Sequence, residues 1–220
     1  MAHYDTIIIG AGMSGLAAGI RLAMFDQKVC ILEKHKVPGG LNSYYERFGR
    51  RLDVGLHAMT NFCRKGEKGR PLTKLLKQLR IPYEQLELYP QHFSRIVFPR
   101  RQLSFSNDQQ LLISEIARCF PRQKENFSRL LEVVLRFDDV NLQNRYQSAK
   151  EKVREFITDE NLLEMIFCPL LIYGSAWEND MDFSQFVIMF KSIFLEGFSR
   201  PKNGVRSIIH LLIEKYLQLG

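Results

Sequence analysis

Three closely spaced glycines and one carboxylate carry the clearest chemical signal in the sequence. Gly10, Gly12 and Gly15 stand within a single run of six residues, and Glu33 follows 18 residues after Gly15. In such a run the first glycine allows a sharp turn, the second lets a phosphate approach the backbone, and the third lets a helix lie close to a strand. A carboxylate at this distance can accept hydrogen bonds from ribose hydroxyls. The spacing predicts a dinucleotide site whose acid disfavours the extra phosphate of NADP.

The elements around these residues are those that such a site needs. Apolar, β-branched residues predict buried strands at 4–9 and 28–32, and helical spacing predicts a helix at 16–25 between them. The free N–H groups and the dipole at the start of that helix would hold phosphates. The alternative is a glycine-rich turn in an unrelated α/β domain.

A second glycine pair follows the acid. Gly39 and Gly40 stand in a turn, which is either a simple loop or a second backbone approach to the same ligand. Residues 51–55 are expected to return the chain to the sheet, where Gly55 would make another close approach. Asp53 is expected to support this loop through hydrogen bonds.

These segments resemble a known family. GAGMSGLAAGIRLA, ILEKHKVPGGLNSYYE and RLDVGLHAM are similar to the FAD-dependent phytoene desaturases, carotenoid isomerases and retinol saturases, which are glutathione-reductase-like flavoproteins. The resemblance implies FAD, with its adenosine end on the first glycines and the acid. Many relatives carry Arg where this chain has Leu41. The expected cofactor-binding residues are Gly10, Ala11, Gly12, Ser14, Gly15, Glu33, Lys34, Gly39, Gly40, Leu41 and Gly55.

The expected fold class is α/β: a Rossmann-like FAD-binding βαβ unit with a mostly helical α+β substrate subdomain. We expect an FAD-binding segment at 1–60, the substrate subdomain at 61–200 and a helix returning to the FAD-binding domain at 201–220. Family members are about twice as long, so Gly220 is expected to be a truncation point. The chain would then need a C-terminal partner half and be inactive alone.

Within the second segment, periodicity predicts several elements. They are a helix at 71–80 with an apolar face of Leu72, Leu75, Leu76 and Leu79, a β-hairpin at 93–105, a helix capped near Asp108 and ending near Cys119, and a helix from Pro121 to about Phe137. A large apolar stripe at helical spacing runs from Phe183 to Phe198. It would form core, the wall of a tunnel for an apolar substrate, or a surface that enters a bilayer.

Composition and charge narrow the classes of protein. The 220 residues are 45% hydrophobic and 25% charged, which is typical of a globular chain, and no apolar stretch is long enough for a membrane-spanning helix. The net charge of +7 is concentrated in residues 64–80. This basic segment is either a solvated face or a contact with an anionic membrane surface or acidic partner; we expect no nucleic-acid partner. With no signal peptide at the N-terminus, the expected location is cytoplasmic, peripheral on a membrane surface.

Few side chains outside the glycine motif suggest catalysis. The four cysteines form no CxxC pair, and the histidines show no metal-ligand spacing, so no metal site is expected. His57, two residues after Gly55, is the one weak catalytic candidate, since it is near the expected cofactor. Tyr44 and Tyr45 are expected to pack near the cofactor.

The resemblance implies an oxidoreductase or isomerase that acts on a lipophilic polyene, a carotenoid or retinoid, by desaturation, saturation or cis–trans isomerisation. The flavin would carry hydride or electrons. Two alternatives on the same fold are a flavin amine oxidase and a non-enzymatic lipid-binding protein of the Rab-escort or GDP-dissociation-inhibitor kind.

Overall fold

The structure, a computed structural model, describes residues 3–55 and 58–220. Two compact units are present: Met1–Met59 with Cys63–Tyr89 and Ser199–Gly220, and Thr60–Phe62 with Pro90–Phe198. The sequence-based division placed 61–89 with the substrate subdomain. In the structure 63–89 belongs to the first unit because its leucines share a core with the N-terminal segment.

The helices and strands are, in chain order, β1 (Thr6–Ile9), α1 (Met13–Ala23), β2 (Val29–Leu32), β3 (Tyr44–Arg47), β4 (Arg50–Asp53), α2 (Pro71–Leu79), β5 (Leu88–Pro90), β6 (Ser94–Phe98), β7 (Arg101–Phe105), α3 (Gln109–Cys119), α4 (Lys124–Arg136), α5 (Ala149–Arg154), α6 (Glu160–Tyr173), α7 (Phe183–Phe190), β8 (Ser199–Pro201) and α8 (Val205–Leu217). No helix within residues 3–55 and 58–220 is long and apolar enough to cross a lipid bilayer.

The first unit begins with the predicted strand–helix–strand unit. β1 and β2 pair in parallel, with Thr6 opposite Val29 and Ile9 opposite Leu32. α1 lies close to this sheet: a Cβ placed at Gly15 would be 3.4 Å from Ile8 Cγ2, and one at Gly19 would be 2.7 Å from Ile31 Cδ1. Glycine at these two positions therefore lets the helix approach the strands.

The residues within 3–55 and 58–220 cover only one face of the β1–β2 sheet, whereas the sequence predicts strands buried on both faces. Side chains alternate between faces along a strand, so Ile7 and Ile9 lie opposite the face that holds Ile8. Ile9 is 90% exposed, and Ile7 and Leu32 are also exposed. Together with Cys30 they form what we call the open sheet face, defined by Ile7, Ile9, Cys30 and Leu32.

Residues 51–55 do not return to this sheet, which corrects the sequence-based expectation. β4 pairs instead with β3 in a separate antiparallel hairpin, with Tyr44 opposite Asp53 and Arg47 opposite Arg50. Phe48 and Gly49 join the strands with φ of 52° and 70°. Positive φ at both turn residues matches the twist of a hairpin, so the chain pairs locally.

Three helices form the core of the first unit. α1, α2 and α8 contribute buried residues to one apolar cluster, whose members include Leu16, Ile20, Leu72, Leu76, Leu79, Ile208, Ile209 and Leu212. The helix predicted at 71–80 is confirmed, but Leu75 is 48% exposed and does not belong to its buried face.

The second unit combines a hairpin with helices. The hairpin predicted at 93–105 is confirmed as β6 and β7, with Ser94 opposite Phe105. α3 ends at Cys119 as predicted, and its N-terminus is capped by Asp108, whose carboxylate accepts from the Gln110 N–H at 3.0 Å. α4 begins at Lys124 after a 3₁₀ turn at Pro121–Gln123.

The apolar stripe from Phe183 forms core in this unit. Phe186 and Phe190 are fully buried, and their ring centroids lie 5.6 Å apart. Phe190 and Phe194 continue the contact at 5.0 Å across a π-helical turn at Lys191–Glu196. Of the three interpretations of this stripe, the structure supports core packing.

Candidate dinucleotide-binding site

The turn between β1 and α1 presents unpaired backbone N–H groups. Gly10 has a φ of 102°, which places it in the conformation that favours glycine. Gly12 precedes α1, its carbonyl accepts the first helical bond from the Leu16 N–H, and no side chain caps the helix. The N–H groups of residues 13–15 therefore have no intrahelical partner and are available to an anion.

Open space lies beside these groups. A Cβ placed at Gly10 or Gly12 meets no other atom within 4 Å. A Cβ at Gly15 would instead collide with the Gly10 carbonyl. The first two glycines thus border a cradle that a side chain would narrow, whereas the third is required for packing.

The second glycine pair lies against the first. The Gly39 N–H donates to the Ala11 carbonyl at 2.8 Å, and a Cβ at Gly40 would be 3.4 Å from Gly12 Cα. Gly39 and Gly40 have φ of 122° and 56°. The structure therefore brings both predicted glycine segments to one place; Leu41, which follows, is exposed.

Glu33 is held beside the same turn. One carboxylate oxygen accepts from the Ala11 N–H at 2.7 Å and the other from the His35 N–H at 2.8 Å. These bonds, that from His35 first, lower the pKa of Glu33 below its ordinary value of 4.5. Each oxygen keeps a second lone pair, so the ionised carboxylate can also accept from two ribose hydroxyls. Lys34 is exposed next to it, and Ser14 is exposed in the first turn of α1.

The remaining predicted residues lie elsewhere. Gly55 approaches the Leu41 carbonyl so closely that a Cβ there would collide with it, so its missing side chain serves a contact within the chain. His57 lies outside the described residues, and its catalytic role remains a prediction. Tyr45 is exposed, and the Tyr44 ring lies 5.4 Å from the Arg206 guanidinium.

An ion cluster that the sequence did not predict fixes the end of β4. The Asp53 side chain is 4% exposed and pairs with Arg206 at 2.6 Å and Arg200 at 3.3 Å. A Cβ at Gly204 would be 2.7 Å from the Asp53 carboxylate. The expected support by Asp53 is confirmed, but its partners are 147 and 153 residues away in sequence, and no local pattern announces them.

These residues suit a dinucleotide. Open amides at the start of α1 can hold a pyrophosphate, the space beside Gly10 and Gly12 admits it, and Glu33 can orient a ribose. The described residues of this turn offer backbone amides and a carboxylate, which are groups that bind and orient a ligand.

Comparisons with known proteins agree with this geometry. Residues 8–79 match the NAD(P)-binding Rossmann-like domain family. The chain is 33% identical to the chloroplastic prolycopene isomerase of Arabidopsis thaliana over 124 residues, which are 56% of this chain and 20% of the isomerase. It is 27% identical to the lycopene-forming phytoene desaturase of Pantoea ananas over 98% of this chain and 47% of the desaturase.

A solved structure extends the likeness. An oxidoreductase from Methanosarcina mazei shares the fold with a TM-score of 0.70 at 18% identity, over 98% of this chain and 49% of that protein. The chain thus spans less than half the length of each of these proteins. The expected Rossmann-like α/β fold and the resemblance to desaturases and isomerases are confirmed.

Proposed function

Residues 8–79 form an NAD(P)-binding Rossmann-like domain homologous to those of prolycopene isomerase and phytoene desaturase, and from this premise we propose that the chain binds FAD as part of a carotenoid- or retinoid-directed oxidoreductase or isomerase. The observation that carries the proposal is the ionised Glu33 carboxylate, 2.7 Å from the Ala11 N–H at the edge of the open amides of α1.

In this proposal the protein binds and orients, and FAD supplies the transfer of hydride or electrons. The N–H groups at the start of α1 hold the pyrophosphate, Glu33 accepts from the ribose of the adenosine end, and Gly39 and Gly40 close over the middle of the cofactor. Lys34, Leu41 and Gly55 remain candidate neighbours, and His57 a candidate near the reacting end. The substrate is a lipophilic polyene.

The cofactor test is a titration of the purified chain with FAD, followed by the visible flavin spectrum and fluorescence quenching. Binding should be lost in Gly12→Val, because the added side chain fills the space beside the amides. Ala18→Val places the same isopropyl side chain at an exposed position of α1 and should leave binding unchanged. A folded wild-type chain that binds no FAD even beside a C-terminal half of a homologous desaturase would contradict the proposal.

A membrane surface is the proposed location of the substrate. Among the basic residues of 64–80, Lys68, Lys74, Lys77 and Arg80 are exposed and make no ion pair with any described residue, and exposed Leu75 lies among them. Each cation close to an anionic bilayer contributes about 1 kcal/mol to the free energy of membrane binding.

Cosedimentation of the chain with phosphatidylserine vesicles tests this contact. The bound fraction should fall in the double variant Lys74→Gln/Lys77→Gln and in high salt, but not in Lys124→Gln. Equal binding by all three proteins would contradict the contact.

A complementary C-terminal half is the proposed protein partner. The open sheet face, and the outer edges of β1 and β2, which pair with no other described strand, are surfaces that folded proteins cover. Coexpression with the C-terminal half of a homologous desaturase should yield a copurifying complex with polyene-directed activity. If the two halves do not copurify and the chain alone is active on a polyene, the proposal of a C-terminal partner is wrong.

A further inference from the structure

A polar cavity lies in the first unit, lined by residues that flank Gly39 and Gly40 in sequence. Its volume is about 110 Å³, and it is bounded by residues 36–38, residues 42–44 and the first turns of α8. None of the eleven residues expected to bind the dinucleotide lines it. The cavity is therefore separate from the expected dinucleotide site.

The polar lining is cationic or neutral. Lys36, Arg206 and His210 stand with Asn42, Ser43 and Tyr44, and no carboxylate lines the cavity among the described residues. Asp53 pairs with the lining residue Arg206, and its charge is outweighed by its two partners, Arg200 and Arg206; Glu214 follows His210 by one turn of α8 but does not line the cavity. The local field therefore favours an anion.

Several donors in this cavity have no protein partner. The side chains of Lys36, Asn42, Ser43 and His210 make no hydrogen bond to any residue within 3–55 and 58–220. Lys36 and His210 are exposed and can be solvated, whereas Ser43 is only 8% exposed, and a buried hydroxyl is normally satisfied by protein, water or a ligand. Ammonium, amide, hydroxyl and imidazole groups together form a donor set that oxyanions accept.

The frame of the cavity is fixed. Arg206 donates to Asp53 at 2.6 Å and to the Asn203 carbonyl at 3.2 Å, and its guanidinium lies over the Tyr44 ring. Ile209 is buried in the core and forms an apolar wall. The volume equals the share of roughly three to four waters, which suits a tetrahedral oxyanion.

We infer that this cavity binds a small oxyanion, either free phosphate or the phosphate of a small monoester, between Lys36 and His210. Lys36 supplies the charge, Ser43 and Asn42 donate hydrogen bonds, and Arg206 fixes the wall and adds positive potential. The inference is independent of FAD binding, because the two sites share no residue.

The test is equilibrium dialysis of the full chain against radiolabelled inorganic phosphate, with unlabelled glycerol phosphate and sulfate as competitors. We expect one phosphate per chain, and an affinity at least tenfold lower in Lys36→Gln and in His210→Gln. Lys36→Arg should retain binding. Lys124→Gln and His92→Gln remove matched exposed residues of the other unit and should bind as wild type does.

Two further arms separate this cavity from the dinucleotide site. Gly12→Val and saturating FAD should leave phosphate binding intact, and circular dichroism should show that each variant is folded. Stronger competition by glycerol phosphate than by unlabelled phosphate would identify a monoester as the ligand, and the reverse would identify the free ion. Stoichiometric binding that survives Lys36→Gln but is lost in Gly12→Val would overturn the inference, and so would the absence of binding at about 10 mM phosphate, which corresponds to less than about 3 kcal/mol of binding free energy.

Discussion

The three glycines of one motif have different roles when each is considered alone. Gly10 has a φ of 102°, Gly12 has an ordinary φ of −75°, and Gly15 faces the Gly10 carbonyl. Only at Gly12 does a side chain meet neither backbone strain nor protein atoms. Substitutions at these positions should therefore separate folding from ligand binding.

Gly10→Ala should destabilise the chain by about 1–3 kcal/mol, because a non-glycine residue at this φ is strained. Gly12→Ala should cost less than about 1 kcal/mol, since alanine is a slightly poorer residue before a helix. Urea unfolding monitored by circular dichroism measures both. Equal losses in the two variants would show that φ at Gly10 is not restrictive.

Glu33→Gln should weaken FAD binding by about 10–100-fold, since it removes the charge of the group that accepts from the ribose, and hydrogen bonds to charged groups are stronger than those to neutral ones. Its effect on stability depends on pH. Because the folded-state pKa of Glu33 is lowered, its stabilising contribution is present above the ordinary value of 4.5 and is lost as pH falls through the lowered pKa.

The urea midpoints of wild type and Glu33→Gln should therefore differ at pH 7 and converge as pH falls below 4.5. Glu214→Gln, an exposed carboxylate on α8 with no hydrogen-bond partner among the described residues, should show no such convergence. A gap that is constant with pH would mean that ionisation of Glu33 does not contribute to folding.

Site residues that belong to a short sequence motif could be predicted, whereas residues that pair with distant parts of the chain could not. Gly12 and Glu33 follow from a motif of about thirty residues. Asp53 forms an ion pair with Arg206 only because α8 packs against the N-terminal segment. A single sequence carries no signal for such a distant pair.

At the scale of elements, α8 completes the core around the first helix. Ile208, Ile209 and Leu212 share the apolar cluster with Leu16 and Ile20. The Tyr216 hydroxyl donates to the Val29 carbonyl of β2 at 2.5 Å, and burial raises the pKa of Tyr216. The last helix is thus bound to both the helix and the second strand of the βαβ unit.

Tyr216→Phe should lower the free energy of unfolding by about 1 kcal/mol, because it deletes one hydrogen bond and keeps the ring. Tyr89→Phe removes an exposed hydroxyl that has no hydrogen-bond partner among the described residues and should be neutral. Urea denaturation measures the free energy of unfolding of both variants. A neutral Tyr216→Phe would show that water replaces the bond.

The β3–β4 and β6–β7 hairpins differ in how well their sequences predict them. β6 and β7 alternate in the usual way about Pro99–Arg101 and were predicted. β3 and β4 are joined at Phe48–Gly49, and the turns of both hairpins contain a non-glycine residue with positive φ, Phe48 at 52° and Arg100 at 65°. The hairpins differ instead in their strands, because β3 and β4 are mostly exposed and lack the alternation of buried and exposed residues seen in β6.

At the scale of the molecule, the open sheet face is the feature that periodicity described incompletely. Apolar strands predict burial on both faces, yet Ile7, Ile9 and Leu32 are exposed. Sequence pattern records that a surface is apolar but does not record which atoms cover it. This chain spans less than half the length of the relatives it matches.

The chain alone should self-associate through the open sheet face. Ile9→Lys should reduce the association and change the free energy of unfolding by no more than about 0.5 kcal/mol, because Ile9 is 90% exposed. Leu217→Lys, at an exposed position of α8, is the control. Sedimentation velocity over a range of concentrations measures the effect; an unchanged association in Ile9→Lys would place the contact elsewhere.

The bond between Tyr216 and Val29 spans 187 residues, and this distance has a consequence during synthesis. At about 5–20 residues per second, α8 leaves the ribosome roughly 10–40 s after β2. Throughout that interval the apolar face of α1 has no α8 to cover it. The glycine turn is therefore synthesised early, but the helix that packs against α1 and β2 is synthesised last. During this interval the exposed leucine and isoleucine side chains of α1 are available to chaperones that bind apolar residues.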